Sequence, residues 1–144
     1  MMDNDLIFKR TADFISDLHE LESSLLSCGG KSILTPLQSN LLQILYFTPG
    51  KTLGALSTCM NMNMPNTSRE VKKLTEQGLI TKFNAPNDKR IIELSLSDEG
   101  RKLIETRLSQ MKEAFFSQSG EWTEDRARRF LGSLDILEKE LFGR

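Results

Sequence analysis

Amide, hydroxyl and cationic side chains are concentrated in one short segment, residues 65–77, which has the apolar spacing of a helix. With about 3.6 residues per turn, Thr67, Val71, Leu74 and Gly78 fall on its inward side. The outward side carries Asn66, Arg69, Lys72 and Lys73, and the hydroxyl groups of Thr67 and Ser68 lie near its N-terminal end and are also expected to contact DNA. In the major groove of DNA, asparagine pairs with adenine, arginine pairs with guanine, and lysine contacts phosphates. We therefore predict that Asn66 and Arg69 contact bases and that Lys72 and Lys73 contact the phosphate backbone of the DNA.

The same pattern is also typical of an ordinary amphipathic surface helix, so the segment that follows decides between the two interpretations. Residues 79–83 and 92–96 predict two strands joined by a turn. Lys82, Lys89 and Arg90 lie on the strands and the tip of this hairpin. A basic tip beside the helix can enter the minor groove or contact phosphates, which favours a DNA-binding surface.

The charge is segregated along the chain. Of the 144 residues, 19 are Lys or Arg and 20 are Asp or Glu, so the net charge is −1. Residues 51–90 nevertheless hold seven cations and three anions, a balance of +4, while the other 104 residues balance to −5. Two explanations account for this charge balance equally well: a chance unevenness of surface charge, and a patch that binds phosphates. Convergence of the cations in space distinguishes the two explanations.

The composition argues against several classes of function. The length predicts a single domain that folds without a metal or a disulfide. With one histidine, His19, and two cysteines, Cys28 and Cys59, the chain has too few ligands for an ordinary zinc site. Nucleotide-binding, phosphate-loop and nucleophile-elbow motifs do not occur, so we predict no enzyme activity and no cofactor. The cysteines are interpreted as small structural side chains rather than redox sensors.

The sequence shows no segment for membrane insertion or export. No apolar run approaches the roughly 20 residues that a bilayer-spanning helix needs. The first five residues include two aspartates and lack the basic-then-apolar order of a signal peptide. A soluble cytoplasmic protein without a membrane partner is therefore expected.

Further helices are predicted on both sides of this helix and hairpin. Apolar residues at every seventh position predict a long helix over 4–27, which residues 29–30, both glycine, would end. Thr35, Pro36 and Gln38 form a capping-box pattern at the start of the next helix. That helix is expected to bury Leu37, Leu41, Ile44 and Leu45. The remaining helices are predicted at 52–59, at 98–118 after a Ser97 cap, and at 124–142 after a Thr123 cap.

Residues 34–101 carry four short motifs in a defined order. The motifs are Leu34-Thr35-Pro36-Leu37-Gln38, the helix ending Arg69-Glu70-Val71-Lys72-Lys73-Leu74-Thr75-Glu76-Gln77-Gly78-Leu79-Ile80, Asp88-Lys89-Arg90, and Leu94-Ser95-Leu96-Ser97-Asp98-Glu99-Gly100-Arg101. Together and in this order they resemble the MarR family of winged-helix transcription regulators. The resemblance implies a homodimer held by the first and last helices, with helix 65–77 in the major groove and Arg90 in the minor groove. It also implies that Asp88 orients Arg90 or braces the wing.

Two positions depart from the family pattern. The family usually caps the recognition helix with serine or threonine, whereas this chain has Met64 at that position, unless Asn63 takes over the role. The middle residue of the wing motif is Lys89 rather than the frequent arginine. Both changes leave the basic outward surface intact.

These observations together predict a mainly α fold with a small β-hairpin wing, in a single domain over 1–144. Residues 34–101 would form the winged helix-turn-helix core, and residues 4–27 and 98–142 the dimerisation helices. The expected function is that of a bacterial homodimeric repressor that binds a pseudo-palindromic operator in double-stranded DNA and is released by a small-molecule effector. The alternative is a protein-interaction winged helix whose basic face docks an acidic partner protein.

Overall fold

The computed structural model describes residues 3–27 and 33–144, which form six helices and three short strands. The helices are α1 (Asn4–Ser27), α2 (Pro36–Phe47), α3 (Leu53–Cys59), α4 (Met64–Glu76), α5 (Asp98–Ser119) and α6 (Glu124–Phe142). The strands are β1 (Lys51–Thr52), β2 (Ile80–Asn84) and β3 (Ile92–Leu96). Every predicted helix and both strands of the predicted hairpin are present. The predicted helix stop at residues 29–30 lies outside the described residues, as does Cys28.

Local capping chemistry explains where the helices begin. The Thr35 hydroxyl accepts a hydrogen bond from the backbone N–H of Gln38, and the Gln38 side chain accepts one from the backbone N–H of Thr35, both at 3.1 Å. The predicted capping box is therefore present. Thr52, Ser97 and Thr123 cap α3, α5 and α6 through the N–H group three residues further on. A cap of this kind stabilises a helix by about 1 kcal/mol.

The hydrophobic core lies between α2, α3, α4, α5 and the sheet. Its fully buried apolar side chains are Leu41, Leu42, Leu45, Leu56, Leu74 and Ile104. One expectation for α2 is wrong, because Leu37 is 38% exposed, whereas Ile44 is partly buried and packs against the core. The inward stripe of α2 passes instead through Gln38 and Leu42, which follow a regular helical spacing with Leu41 and Leu45.

The three strands form one antiparallel sheet in the order β1-β3-β2. β2 and β3 pair along their whole length and form the predicted hairpin. β1 adds a third strand by pairing Lys51 with Leu94, and the sequence did not predict it. A strand of two residues is too short for an alternating pattern to be visible.

The hairpin is anchored where α4 ends and α5 begins. Gly78 follows α4 with a φ of +74°, the left-handed conformation predicted for this position. Leu79 then passes so close to α5 that a Cβ at Gly100 would lie 2.1 Å from the Leu79 carbonyl oxygen. The Ser97 N–H donates to the same oxygen at 3.0 Å. Glycine is therefore required at position 100, and the close contact fixes the base of the hairpin against α5.

The two long terminal helices, α1 and α6, contain no buried residue. Their exposed apolar side chains include Leu6, Ile7, Phe8, Phe14, Ile15 and Leu18 on α1, and Phe130, Leu131, Leu134, Ile136 and Leu141 on α6. Parts of both helices line one apolar groove of about 480 Å³. Contiguous exposed apolar surface is typical of association sites. Within the described ranges, none of the helices combines the length and the apolar character that crossing a membrane requires.

Candidate nucleic-acid interface

α4 turns one stripe of side chains into the core and its opposite face to solvent, as predicted. Val71 and Leu74 are buried, with 2% and 0% exposure. The exposed polar side chains of the opposite face are Asn66, Ser68, Arg69, Lys72 and Lys73. Asn66 and Arg69 are three residues apart and are therefore neighbours on the helix surface. The amide and the guanidinium that were predicted to read bases thus lie side by side.

Asn63 caps the N-terminus of α4. Its side-chain oxygen accepts a hydrogen bond from the backbone N–H of Asn66 at 2.9 Å. Met64 is the first residue of the helix, and Pro65 follows in the first turn, where its missing N–H is not needed. Asn63, one residue before Met64, therefore caps the helix in place of the serine or threonine that is usual in the family.

Thr67 does not belong to the outward face. Its side chain is completely buried, and its hydroxyl donates to the backbone carbonyl of Asn63 at 3.0 Å. The prediction that Thr67 contacts DNA is therefore wrong: the residue is close to the helix start in sequence, but the helical turn directs it into the core beside Val71. Ser68, the next residue, is exposed and remains a candidate contact.

Both lysines of α4 form ion pairs with glutamates of the same helix. Lys73 Nζ lies 2.8 Å from Glu70 Oε1, and Lys72 Nζ lies 3.9 Å from Glu76 Oε1. Among the described residues, Arg69 forms no ion pair. The guanidinium is therefore the cation of this face that is available without breaking an existing contact.

Glu70 also connects α4 to α2, and sequence reasoning assigned it no role. Its second carboxylate oxygen accepts a hydrogen bond from Nε2 of Gln38 at 3.1 Å. The hydrogen bond from Lys73, followed by that from Gln38, holds the pKa of Glu70 below its ordinary value against the opposing effect of burial. Position 70 lies at the border between the inward and outward faces of α4, which is the one local sign that its side chain is not simply solvated.

The wing carries its cations on an exposed and internally braced tip. Lys82, Lys89 and Arg90 are exposed, and none of them forms an ion pair among the described residues. Asp88 accepts a hydrogen bond from the backbone N–H of Arg90 at 2.9 Å, and Asn84 donates its side-chain N–H to the carbonyl of Lys89. Asp88 therefore braces the turn, which is one of its two predicted roles, and forms no side-chain ion pair with Arg90.

The helix and the wing adjoin each other. A small cleft of about 140 Å³ between them is lined by Ser68 and Val71 of α4 and by Lys82 and Ile92 of the wing. The predicted proximity of Lys82 to the helix is thus confirmed. Of the cations in residues 51–90, Lys82 lines this cleft together with Ser68 of α4.

The remaining reactive side chains do not form a second site. Cys59 is exposed at the end of α3, and its interpretation as a structural side chain rather than a redox sensor stays a prediction. His19 is exposed on α1 and lies 3.7 Å from Glu22, in agreement with its interpretation as a solvated histidine. In residues 3–27 and 33–144, His, Cys, Asp and Glu side chains form no group of three or more that could hold a metal ion.

Comparison with known proteins gives matches over this part of the chain and over its whole length. The model of the MarR family matches residues 34–92. An HTH-type transcriptional regulator of Bacillus subtilis, YsmB, is 25% identical over 138 residues, which are 92% of this chain and 94% of that protein. The matched core contains all of α4 and most of the wing.

Two solved structures have the same fold. The structure of a MarR family protein from Bacillus stearothermophilus superimposes with a TM-score of 0.84 at 18% identity, covering 98% of this chain and 99% of that one. A mutant of S. aureus MepR bound to an oligodeoxyribonucleotide superimposes with a TM-score of 0.61 at 19% identity, covering 98% and 99%. The predicted winged helix-turn-helix fold is therefore confirmed.

Proposed function

We propose that this chain is a homodimeric repressor of transcription, because the model of the MarR family, whose members are DNA-binding transcription regulators rather than enzymes, matches its residues 34–92. One observation carries the proposal: Asn66 and Arg69 are exposed on α4 next to a wing whose cations form no ion pair among the described residues. A base-reading face and a phosphate-binding tip on adjoining elements are the two parts that sequence-specific binding needs.

In this proposal each polar group has a distinct task. Asn66 and Arg69 contact base edges in the major groove, where the N-terminal part of a recognition helix normally lies. Arg90 enters the minor groove. Ser68, Lys72, Lys82 and Lys89 are assigned to the phosphate backbone of DNA, and Asp88 is assigned to the wing turn.

The dimer is proposed from α1 and α6. Neither helix buries a residue within its own chain, although both carry long apolar stripes. A second copy of the chain would cover these stripes around a two-fold axis and place two α4 helices on the same side of the dimer. Because a dimer of this kind reads two half-sites about one helical turn apart, the operator is expected to be pseudo-palindromic.

A small-molecule effector is proposed to act between the dimerisation helices and the DNA-binding core. A pocket of about 400 Å³ lies there, lined by side chains of α1, α2 and α5 that include Leu26, Pro36 and Arg107. Its volume is within the range of about 300–1,000 Å³ that is usual for ligand sites. A ligand that binds the DNA-free arrangement more tightly by a few kcal/mol would change the spacing of the two α4 helices and release the operator.

The proposal is tested by selecting a binding site from a pool of random duplexes and titrating it with protein at increasing salt. Lys72, Lys82 and Lys89 of each protomer give a dimer about six phosphate contacts, so log K is expected to fall with log[salt] with a slope near −5. Failure to bind any duplex at low salt would exclude this function. Preferential binding of an acidic protein, with no selected duplex, would favour the interaction-module alternative.

A further inference from the structure

Glu70 is an acidic residue on the DNA-facing helix whose side chain is largely withdrawn from solvent. The side chain of Glu70 is 15% exposed, whereas that of Glu76 on the same helix is 65% exposed. A negative charge on α4 repels every DNA phosphate, so Glu70 opposes the function of the surface beside it. Its hydrogen bonds indicate what it does instead.

Gln38 holds the Glu70 carboxylate in place because Gln38 is itself fixed. The residue is 6% exposed, and its amide oxygen accepts the Thr35 N–H of the α2 capping box. The Nε2 group at the other end of the amide donates to Glu70 at 3.1 Å. The carboxylate is thereby tied to α2 and cannot follow a partner towards the DNA.

The second oxygen of this fixed carboxylate holds Lys73. The Nζ atom of Lys73 lies 2.8 Å from Glu70, and the lysine side chain remains 50% exposed. Lys72 provides a contrast on the same helix, because its pair with Glu76 spans 3.9 Å and both side chains are well exposed. Exposed pairs of that kind contribute little, so Lys72 is free to exchange its partner for a phosphate.

We propose that Glu70 limits the affinity of the recognition helix, because it keeps Lys73 from contacting phosphates and thereby lowers the affinity of α4 for DNA of any sequence. This inference rests on the proposed function. A lysine that left Glu70 for a phosphate would leave the carboxylate with Gln38 as its remaining partner. Attraction to every DNA sequence is reduced by the same factor, so a larger share of the binding free energy comes from the contacts of Asn66 and Arg69 with bases.

The test compares Glu70→Gln with Glu76→Gln on a random-sequence duplex of about three helical turns. Both substitutions remove one negative charge from α4, but only the first releases Lys73 from a fixed partner. One added phosphate contact per protomer gives the dimer two, which corresponds to roughly sixtyfold tighter binding in about 0.1 M salt and to a slope more negative by about 1.8. We expect this effect for Glu70→Gln and less than about a twofold effect for Glu76→Gln. Equal tightening by both variants would overturn the proposal.

A second comparison uses Lys73 itself. In the wild type, Lys73→Gln is expected to change the salt slope by less than about 0.3 per protomer, because the lysine contacts no phosphate, whereas Arg90→Gln changes it by about 0.9. In the Lys73→Gln background, Glu70→Gln is expected to tighten binding no more than Glu76→Gln does. Tightening that persists without Lys73 overturns the proposal.

The Lys73→Gln measurement tests the proposal even when Glu70→Gln fails to fold. If Lys73→Gln reduces the salt slope by about 0.9 per protomer relative to the wild type, Lys73 contacts a phosphate in the wild type and the proposal is wrong. The proposed function fails separately: in that case the wild-type protein itself shows no salt-dependent binding to duplex DNA. A wild type that binds with a steep salt slope, together with variants that do not differ from one another, rejects only the role of Glu70.

Discussion

The recognition helix α4 and the wing both present cations, but they hold them in opposite ways. On α4 the two lysines are paired with glutamates, and the helix is fixed by a buried stripe and by the contact from Gln38 to Glu70. On the wing the cations form no ion pair among the described residues, and the tip is held by hydrogen bonds to its own backbone. The helix is thus held rigidly and its lysines are in ion pairs. The tip of the wing is held only by local hydrogen bonds, and its cations are not paired among the described residues.

This difference separates the two components of DNA binding. Unpaired cations attract phosphates whatever the sequence, and the affinity they provide falls with salt. Amide and guanidinium groups on a rigid helix discriminate between bases, because bidentate hydrogen bonds require a defined position. We therefore expect the wing to supply most of the general affinity and α4 to supply most of the specificity.

The largest expected effect concerns the contact of Gly100 with Leu79, a residue between α4 and the first strand of the wing. Gly100→Ala places a Cβ 2.1 Å from the Leu79 carbonyl oxygen, at the point where α4 leads into the wing. Backbone atoms cannot move aside as a flexible side chain can, so the free energy of unfolding is expected to fall by about 2–3 kcal/mol. Denaturant unfolding measures the loss. Gly132→Ala is the matched control: its Cβ meets nothing within 4 Å in the chain, and helix propensity favours it.

The next effect separates base reading from phosphate binding. Asn66→Ala removes a neutral amide, so it is expected to weaken binding to the selected site by about 1–3 kcal/mol while leaving the affinity for random duplex nearly unchanged. Arg90→Ala is expected to weaken both by similar factors and to reduce the salt slope. Competition titrations against the two duplexes measure both quantities. Equal losses on both duplexes for Asn66→Ala would refute its base-reading role and remove the distinction between helix and wing.

A smaller effect on stability is expected at the N-cap of α4 and at the turn of the wing. Asn63→Ala removes the cap of α4 and is expected to cost about 1 kcal/mol of stability. Asp88→Ala removes a hydrogen bond in an exposed loop, where substitutions usually change stability by less than about 0.5 kcal/mol. Thermal unfolding of the two variants tests the ranking. A larger loss for Asp88→Ala would show that the wing tip, rather than the helix start, is the more tightly held element.

Local chemistry made most of the fold predictable. The caps at Thr35, Ser97 and Thr123 act on groups three residues away, so the information needed lies within one turn of sequence. The strand β1 could not be predicted in the same way, because its two residues are defined only by pairing with β3. The inward stripe of α2 was misplaced by one position at Leu37, since the sequence gives the period of a helix more firmly than its rotation about the axis.

The candidate site was predictable to a similar extent. The outward position of Asn66 and Arg69 follows from the helical period, and the structure agrees. Thr67 was misassigned because nearness to the helix start was given more weight than that same period. Glu70 was missed because its partner Gln38 is 32 residues away in the chain. Contacts between elements distant in sequence depend on packing, and no local pattern contains them.

The smallest predicted effect is a pH dependence confined to α4. Because the hydrogen bond from Lys73 lowers the pKa of Glu70 in the folded chain, this pair stabilises the fold above the ordinary pKa of a glutamate, near 4.5. The contribution is lost as the pH falls through the lowered pKa. The stability difference between wild type and Glu70→Gln is therefore expected to be constant above about pH 5 and to shrink below the ordinary pKa of glutamate.

Urea unfolding of the wild type and of Glu70→Gln between about pH 3 and pH 7 measures this difference. Glu76→Gln is the control on the same helix, and its longer, exposed ion pair is expected to give a smaller change over the same range. A constant difference between wild type and Glu70→Gln across the whole range would mean that Lys73 does not stabilise the carboxylate. Both lysines of α4 would then be as free as the cations of the wing, and the contrast between the two regions would be lost.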